Sequence, residues 1–410
     1  LISPGVCVKC KGKLLCGMSY CPILERHSAR TRAVSRIKGT DFYGSSPPGV
    51  FVSWHNYPKV TVSALSPTAI EPNAEVFDAP EKWFGFSEQR ILSFRESLVG
   101  SGSRFKASAA STPGVKLSTM QELVMSSRAV NVEVSLYKKP TASLSFHERA
   151  APTGPRAPLK KIKITENPRI PKKVDYLNSD IAAKATTALL ELYDSGLPVS
   201  SLYKLLSAGT LGVEKARRLV PTRFAITAVD STISNKLIEE IKDYSEISDI
   251  RLFSSRYLDN SFFVLLLPRS WAFEQLECWL PHGIWTGDAD NFHMVQDYEF
   301  YSGRKKYAVN VTGAYYSARL AVLEYLKKEK KQASAIVFRE IGKDYNLPLG
   351  VWVIRETMRD AMKKKPLTFF DLDLALKFIS RKLKVPIQEW RKSSKLLDFV
   401  QHQRSLRDFS

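Results

Sequence analysis

Cysteine is almost absent from most of this chain. Only five of its 410 residues are cysteine; Cys7, Cys10, Cys16 and Cys21 share one short N-terminal stretch, and Cys278 stands alone. A secreted disulfide scaffold spreads paired cysteines through a small domain, so this distribution excludes one and points to a reduced compartment and a metal site. Long apolar runs are missing too. The strongest, Phe262 to Leu267, is far too short to cross a bilayer, and the N-terminus has no signal-like apolar stretch. A soluble, cytoplasmic protein with no membrane partner is expected, one that meets nucleic acid at the nucleoid. Histidine is scarce, with six scattered residues, which argues against a His-rich metal centre. No Walker-type phosphate loop occurs: Gly100-Ser-Gly102-Ser-Arg104 lacks the Lys-Ser/Thr ending and reads as an ordinary loop. The chain opens on Leu1 rather than methionine, which points to a few residues upstream.

Acidic charge is the last deficit. There are 61 Lys+Arg against 41 Asp+Glu, a formal net charge of +20. An excess of this kind says nothing about fold but favours polyanions, nucleic acid first. It is uneven: residues 301 to 410 hold 24 Lys+Arg against 11 Asp+Glu. What is abundant is core material, 44% hydrophobic and 11% aromatic, enough for two or three packed domains.

The patterning predicts an α+β fold, a mixed multi-segment body with a small N-terminal four-cysteine metal knuckle and a flexible C-terminal tail. Five segments are expected: the knuckle (1–25), a mixed strand-rich region ending in a Pro/Lys-rich connector (26–173), a central α+β region (174–300), a basic helical region (301–395) and the tail (396–410). Phe51 to Trp54 and Val60 to Val62 read as strands around an Asn56-Tyr57-Pro58 turn, and Val130 to Tyr137 alternates like a strand. Residues 151–173, rich in proline and lysine, read as an extended basic connector. Asp180 is a candidate N-cap for a helix to Tyr193, and Val213 to Leu219 reads as a short helix. Ile250–Phe253 and Ser261–Leu267 read as paired strands, the second central. Gly313 to Lys331 reads as a long helix, Ala335 to Glu340 as a strand and Val351 to Lys364 as a helix.

The cysteine spacing is Cys-x2-Cys, five residues, Cys, four residues, Cys. A Cys-x2-Cys pair turns backbone amides toward its thiolates, and Cys16 and Cys21 complete a tetrahedral sulfur shell with Cys7 and Cys10. Zinc is the expected ion and an iron–sulfur cluster the alternative. At the other terminus Gln403, Leu406 and Phe409 have the spacing of peptides that dock on the DNA sliding clamp (PCNA). A helical turn would project Leu406 and Phe409 into an apolar pocket while Gln403 hydrogen-bonds beside it.

These stretches resemble the archaeal Nre family: the Cys7–Cys21 knuckle, the block from Pro221 through Arg223 and Asp230 to Ser234, Gly313 to Glu324, Leu347 to Glu356, and the tail. The resemblance implies a DNA-repair protein with a four-cysteine zinc-finger-like element and a C-terminal clamp-binding motif. Two departures stand out. Where the family has a glycine-rich stretch before Tyr-Pro, this chain has Val52-Ser53-Trp54-His55-Asn56, and the tail ends on Ser410 where a second aromatic would stand.

Two functions fit. The first is a repair adaptor that holds DNA through basic clusters, Lys160, Lys161 and Lys163; Lys327, Lys328, Lys330 and Lys331; Lys363, Lys364 and Lys365. The second is an enzyme acting on DNA or nucleotides, a nuclease or a nucleotidyl- or ADP-ribosyl-type transferase. In it Arg223, Asp230, Glu340 and Arg355 would share one cleft. The ordinary alternative for those four is structural ion pairing, with Arg223 and Asp230 bracketing a strand-like segment as a buried pair. Asp288, Asp290 and Asp297 suggest a divalent cation, although solvated loop acids are commoner.

Overall fold

A computed structural model describes residues 10–15, 20–142, 152–283, 285–286 and 289–402. The fold is mixed α+β, with two six-stranded sheets. The chain divides into two compact units, Gly12–Ile233 and, with residues 1–11, Ser234–Ser410.

The first unit holds β1 (Asp41–Ser46), β2 (Val50–Val52), β3 (Lys59–Ser66), β4 (Val99–Lys106), β5 (Val130–Leu136) and β6 (Arg156–Ile164), ordered β1-β5-β6-β4-β3-β2. Its helices are α1 (Pro22–Ser35), α2 (Glu88–Ser97), α3 (Val115–Met125), α4 (Lys172–Ser179), α5 (Ala185–Asp194), α6 (Val199–Ser207) and the first part of α7 (Thr222–Ile241). One face of the sheet is apolar: Val60, Val62, Val99, Val132, Val134 and Leu159 are all at most 1% exposed. The other face meets solvent at Lys59, Arg104, Lys106 and the outward residues of β6, while Ser45, Ser63 and Gly100 on the same side are covered.

Strand β6 replaces the expected connector. It pairs parallel to β4 and antiparallel to β5, with a bulge opposite Ser135 and Leu136. Ala157, Leu159 and Ile162 point inward. The extra residue of the bulge breaks the period-two signal and leaves Lys160 and Lys161 both outward. The strand-like segment between Arg223 and Asp230 is the second correction: it lies within a twenty-residue helix. Its β-branched residues suggest a strand, but Ala225, Val229, Ile233, Leu237 and Ile241 recur every fourth position and are at most 1% exposed. Asp180 caps no long helix; its carboxylate accepts from the amides of Ala182 and Ala183 ahead of α5. Only a short 3-10 turn, Glu214–Ala216, forms in the segment from Val213 to Leu219.

The second unit holds β7 (Ile250–Tyr257), β8 (Asn260–Leu267), β9 (Ala272–Trp279), β10 (His293–Glu299), β11 (Ser334–Ile341) and β12 (Leu367–Phe369), ordered β10-β9-β11-β8-β7-β12. Its helices, besides the end of α7, are α8 (Gly313–Glu329), α9 (Trp352–Lys363), α10 (Leu372–Ser380), α11 (Ile387–Ser393) and α12 (Lys395–His402). β7 and β8 form the expected hairpin through Leu258 and Asp259, both at positive φ (46° and 53°), as a two-residue primed turn requires. One sheet face packs Leu265, Leu276, Ile336 and Phe338 against Ile379, Trp390, Leu396 and Leu397. The chain is therefore helical and anchored as far as His402, inside the span expected as a flexible tail.

Candidate functional site

The solvent side of the first sheet is built by register. Lys59 lies opposite Lys106, Thr61 opposite Arg104, and Gly100 opposite Arg156, so these side chains share one face. The bulge adds both Lys160 and Lys161, and Lys163 follows beyond the inward Ile162. Seven cations therefore stand on three adjacent strands, all exposed, and none is in an ion pair among the described residues. Gly100 and Gly102 keep the middle of this face flat: a Cβ on Gly102 would lie 3.0 Å from the side chains of Ser63 and Thr61. Arg156 sits 5.1 Å from the Phe51 ring centroid. Desolvation, then repulsion from Arg30 and Arg95, pulls its pKa below the ordinary guanidinium value. The face also carries Glu133, exposed and directly opposite Lys163 in the register. Asp41, opposite Ser135, has its carboxyl held below the usual range by hydrogen bonds from Ser135 and Thr40, with a smaller contribution from Lys160.

The β2–β3 turn borders this face. Trp54 stacks on His55 with ring centroids 4.2 Å apart. Arg223, from the first turn of α7, places its guanidinium 5.3 Å from the Trp54 centroid and 5.6 Å from that of Phe224. Arg223 is exposed and has no ion pair among the described residues, so the expected buried Arg223–Asp230 pair does not form. Asp230 lies seven residues further along α7, about 10 Å by helical rise, and is buried.

Glu340 and Arg355 belong to the other unit. Consecutive strand residues face opposite ways, and Arg339 and Glu340 do so. Arg339, 3% exposed, donates to Glu277 Oε1 (2.6 Å) and twice to Asn260 Oδ1 (3.1 and 2.7 Å), while Gln275 also donates to Glu277 Oε1 (2.9 Å). Glu340 Oε2 accepts from the amides of Lys384 (2.9 Å) and Val385 (3.0 Å), fixing the approach to α11. Glu274 caps α12, accepting from Lys395 N (2.8 Å), Leu396 N (3.1 Å) and the Ser394 hydroxyl; burial nonetheless raises its pKa. Glu299 pairs with Arg319 (2.7 Å), and Asp297 with Arg304 (3.0 Å). Asp297 also accepts from the amides of Asn310 and Val311. Buried charges arranged like this, each carboxylate met by a cation or by amides, are expected of a scaffold that fixes loops. Arg355 is buried in α9.

The C-terminal lysines are divided. Lys327 pairs with Glu240 (3.2 Å), Lys331 donates to Ser245 Oγ (2.8 Å) and Lys364 pairs with Asp360 (2.6 Å). Lys328, Lys330, Lys363 and Lys365 are exposed and outside any ion pair among the described residues. Of the proposed metal ligands, Cys10 is buried and Cys21 half-buried, while Cys7 and Cys16 lie outside the described residues. Cys278 is a core residue, its thiol pushed up to about 12 by burial and then by the charge of Glu340. Asp288 and the clamp-like Gln403, Leu406 and Phe409 also lie outside the described residues, whereas Asp290 is exposed beside His282. No helix among the described residues is long and apolar enough to cross a membrane.

Lys160, Lys161 and Lys163 stand out in the sequence as a cluster, whereas Lys59, Arg104, Lys106 and Arg156 join them only through strand pairing. Glu277 and Glu274 likewise give no local signal, because their polar side chains make sense in a core only beside partners distant in sequence. Exposed aromatics beside Lys59 were the available signal for the Trp54 turn.

Known proteins match the chain in two blocks whose boundary differs from that of the compact units. A family model described as Archaeal Nre, N-terminal, matches residues 15–286, and one described as Archaeal Nre, C-terminal, matches residues 299–409. The chain is 38% identical over 391 residues to a protein of Archaeoglobus fulgidus named DNA repair protein NreB, covering 95% of this chain and 96% of the relative. It is also 38% identical over 386 residues to DNA repair protein NreA of the same organism, covering 94% and 95%. DNA repair protein NreA of Haloferax volcanii is 34% identical over 383 residues, covering 92% and 91%. No solved structure matches the chain.

Proposed function

The chain belongs to the archaeal Nre family, and from that premise we propose that it is a DNA-repair protein that holds DNA on the open face of its first sheet. The observation that carries this reading is the set of seven exposed cations, Lys59, Arg104, Lys106, Arg156, Lys160, Lys161 and Lys163, standing on one face outside any ion pair among the described residues, against Glu133 and Asp41 as its acids. Phosphates that meet such cations displace condensed counterions, and that release favours binding. Lys328, Lys330, Lys363 and Lys365 extend the same chemistry in the other unit. The tail from Gln403 to Phe409 docks on the sliding clamp and so brings the DNA-bound protein to replicating or repaired DNA. Cys7, Cys10, Cys16 and Cys21 hold a zinc ion as a closed structural site, for which four thiolates with a Cys-x2-Cys pair are a fitting donor set; an iron–sulfur cluster is the alternative.

The enzyme reading draws no comparable support. Arg223 lies against aromatic rings, and Glu340 Oε2 is taken by two backbone amides. The test has two arms. Replacing Lys160, Lys161 and Lys163 together by alanine should weaken duplex DNA binding at low salt, and deleting residues 403–410 should abolish clamp binding while leaving DNA binding intact. Wild-type protein that fails to bind DNA even at low salt overturns the first arm; a deletion that leaves clamp binding unchanged overturns the second.

A further inference from the structure

The Trp54 turn carries more than charge. Trp54 is 45% exposed, Tyr57 58% and Phe224 53%. Rings exposed singly are ordinary at a surface, but Trp54 and Phe224 share Arg223, and such grouped exposure marks an interaction site; these rings are presented by a fixed frame. Val52 N donates to Thr222 Oγ1 (2.9 Å), which also hydrogen-bonds Ser207 Oγ (3.1 Å), tying the start of α7 to β2. Within the turn Thr61 N donates to Ser53 Oγ (3.0 Å) and Lys59 N to Asn56 O (2.8 Å), and Ala107 N donates to Pro58 O (2.7 Å). Arg223 lies against both the Trp54 and Phe224 rings, with no carboxylate among the described residues to draw it away. The strand leaving the turn begins with Lys59, whose cross-strand partner is Lys106, with Arg104 two residues earlier in β4.

Fixed exposed rings, a cation held against them and a run of phosphate-seeking side chains beside them match the needs of one ligand. An unpaired base offers a ring face to stack, and its own backbone offers phosphates at the same place. Duplex DNA offers only base edges in its grooves and leaves such rings without a partner. A protein partner would also bury aromatics and arginine, but Lys59, Lys106, Arg104 and Arg223 beside the rings favour a polyanion. We propose that Trp54, supported by Arg223, His55 and Phe224, stacks an unpaired base of single-stranded DNA whose phosphates lie along Lys59, Lys106 and Arg104. This rests on the DNA-binding reading above and narrows it to a site for strands that are open, gapped or displaced.

The test uses the full chain and fluorescently labelled oligonucleotides of about 16 nucleotides, single-stranded DNA, the matching duplex and the matching single-stranded RNA, read by anisotropy. Trp54→Ala removes an exposed ring and leaves the fold intact. It should weaken single-stranded DNA binding by about ten-fold or more while duplex binding stays within about two-fold, and Trp54→Phe should restore most of the loss. Trp54→Ala/Phe224→Ala should lose more than either single change. If the single variant weakens both DNA forms equally, or neither, the stacking site is wrong while DNA binding by the sheet face stands. If wild-type protein binds neither form at low salt, the DNA reading itself falls and takes this inference with it. Tighter binding of the RNA than of the single-stranded DNA overturns the assignment to DNA.

Discussion

Replacing Glu277 by glutamine asks whether the buried charges of the second sheet are scaffold. Arg339 is 3% exposed and its Nη1 lies 2.6 Å from Glu277 Oε1. Glutamine keeps the shape and an oxygen acceptor but removes the negative charge. Arg339 then keeps the dipoles of Asn260 and of the new amide and the rings of Phe262 and Trp279, but no carboxylate offsets its guanidinium charge there. Removing one partner of a buried pair costs about 3–5 kcal/mol. At about 2–4 °C per kcal/mol for a unit of this size, the melting transition of the second unit should fall by roughly 6–20 °C. Circular dichroism with calorimetry measures it. The paired change Glu277→Met with Arg339→Met should recover much of the loss, because it removes both charges rather than stranding one. A shift below about 2 °C for the glutamine variant, or losses that simply add in the double variant, refutes the reasoning.

Three further outcomes follow from the same geometry. Protein purified without added metal should carry about one zinc per chain, and Cys10→Ser or Cys21→Ser should release it; an iron-containing, brown protein contradicts the zinc assignment. Cys278, with its thiol pushed up to about 12 against an ordinary value of 9.0, should resist alkylation in the folded protein at mildly alkaline pH and react once the chain is denatured. The sign follows: the thiol's folded pKa is raised, so stability is lost as pH climbs from the unfolded value toward 12. Glu274→Gln exchanges one acceptor for a donor that faces the amides of Lys395 or Leu396. It should therefore loosen α12 by about 1–3 kcal/mol, visible as faster amide exchange at the start of that helix.

Much of the fold was legible where periodicity is local. The β2–β3 and β7–β8 hairpins, β5, β11 and α8 each announce themselves within their own residues. The misreadings have distinct physical causes. In β6 a bulge hides the alternation and the Pro/Lys composition imitates a linker. In α7 β-branched residues imitate a strand, and only the four-residue spacing of its buried positions reveals the helix. β9 carries Glu274, Gln275 and Glu277 into the core, which no window around it explains, since Ser394 and Arg339 supply the partners. The site was half visible for the same reason. Lys160, Lys161 and Lys163 cluster in sequence, whereas Lys59, Arg104 and Arg156 meet only through strand pairing, and Trp54 meets Arg223 only through folding.

The salt dependence of binding reports whether the outward face of the first sheet holds DNA through phosphate contacts. Duplex affinity should fall steeply with salt, and replacing Lys160, Lys161 and Lys163 by alanine should flatten the logarithmic slope by about 2–3, or roughly 0.9 per lost contact. A slope that the triple replacement leaves unchanged would mean that these lysines do not meet phosphates.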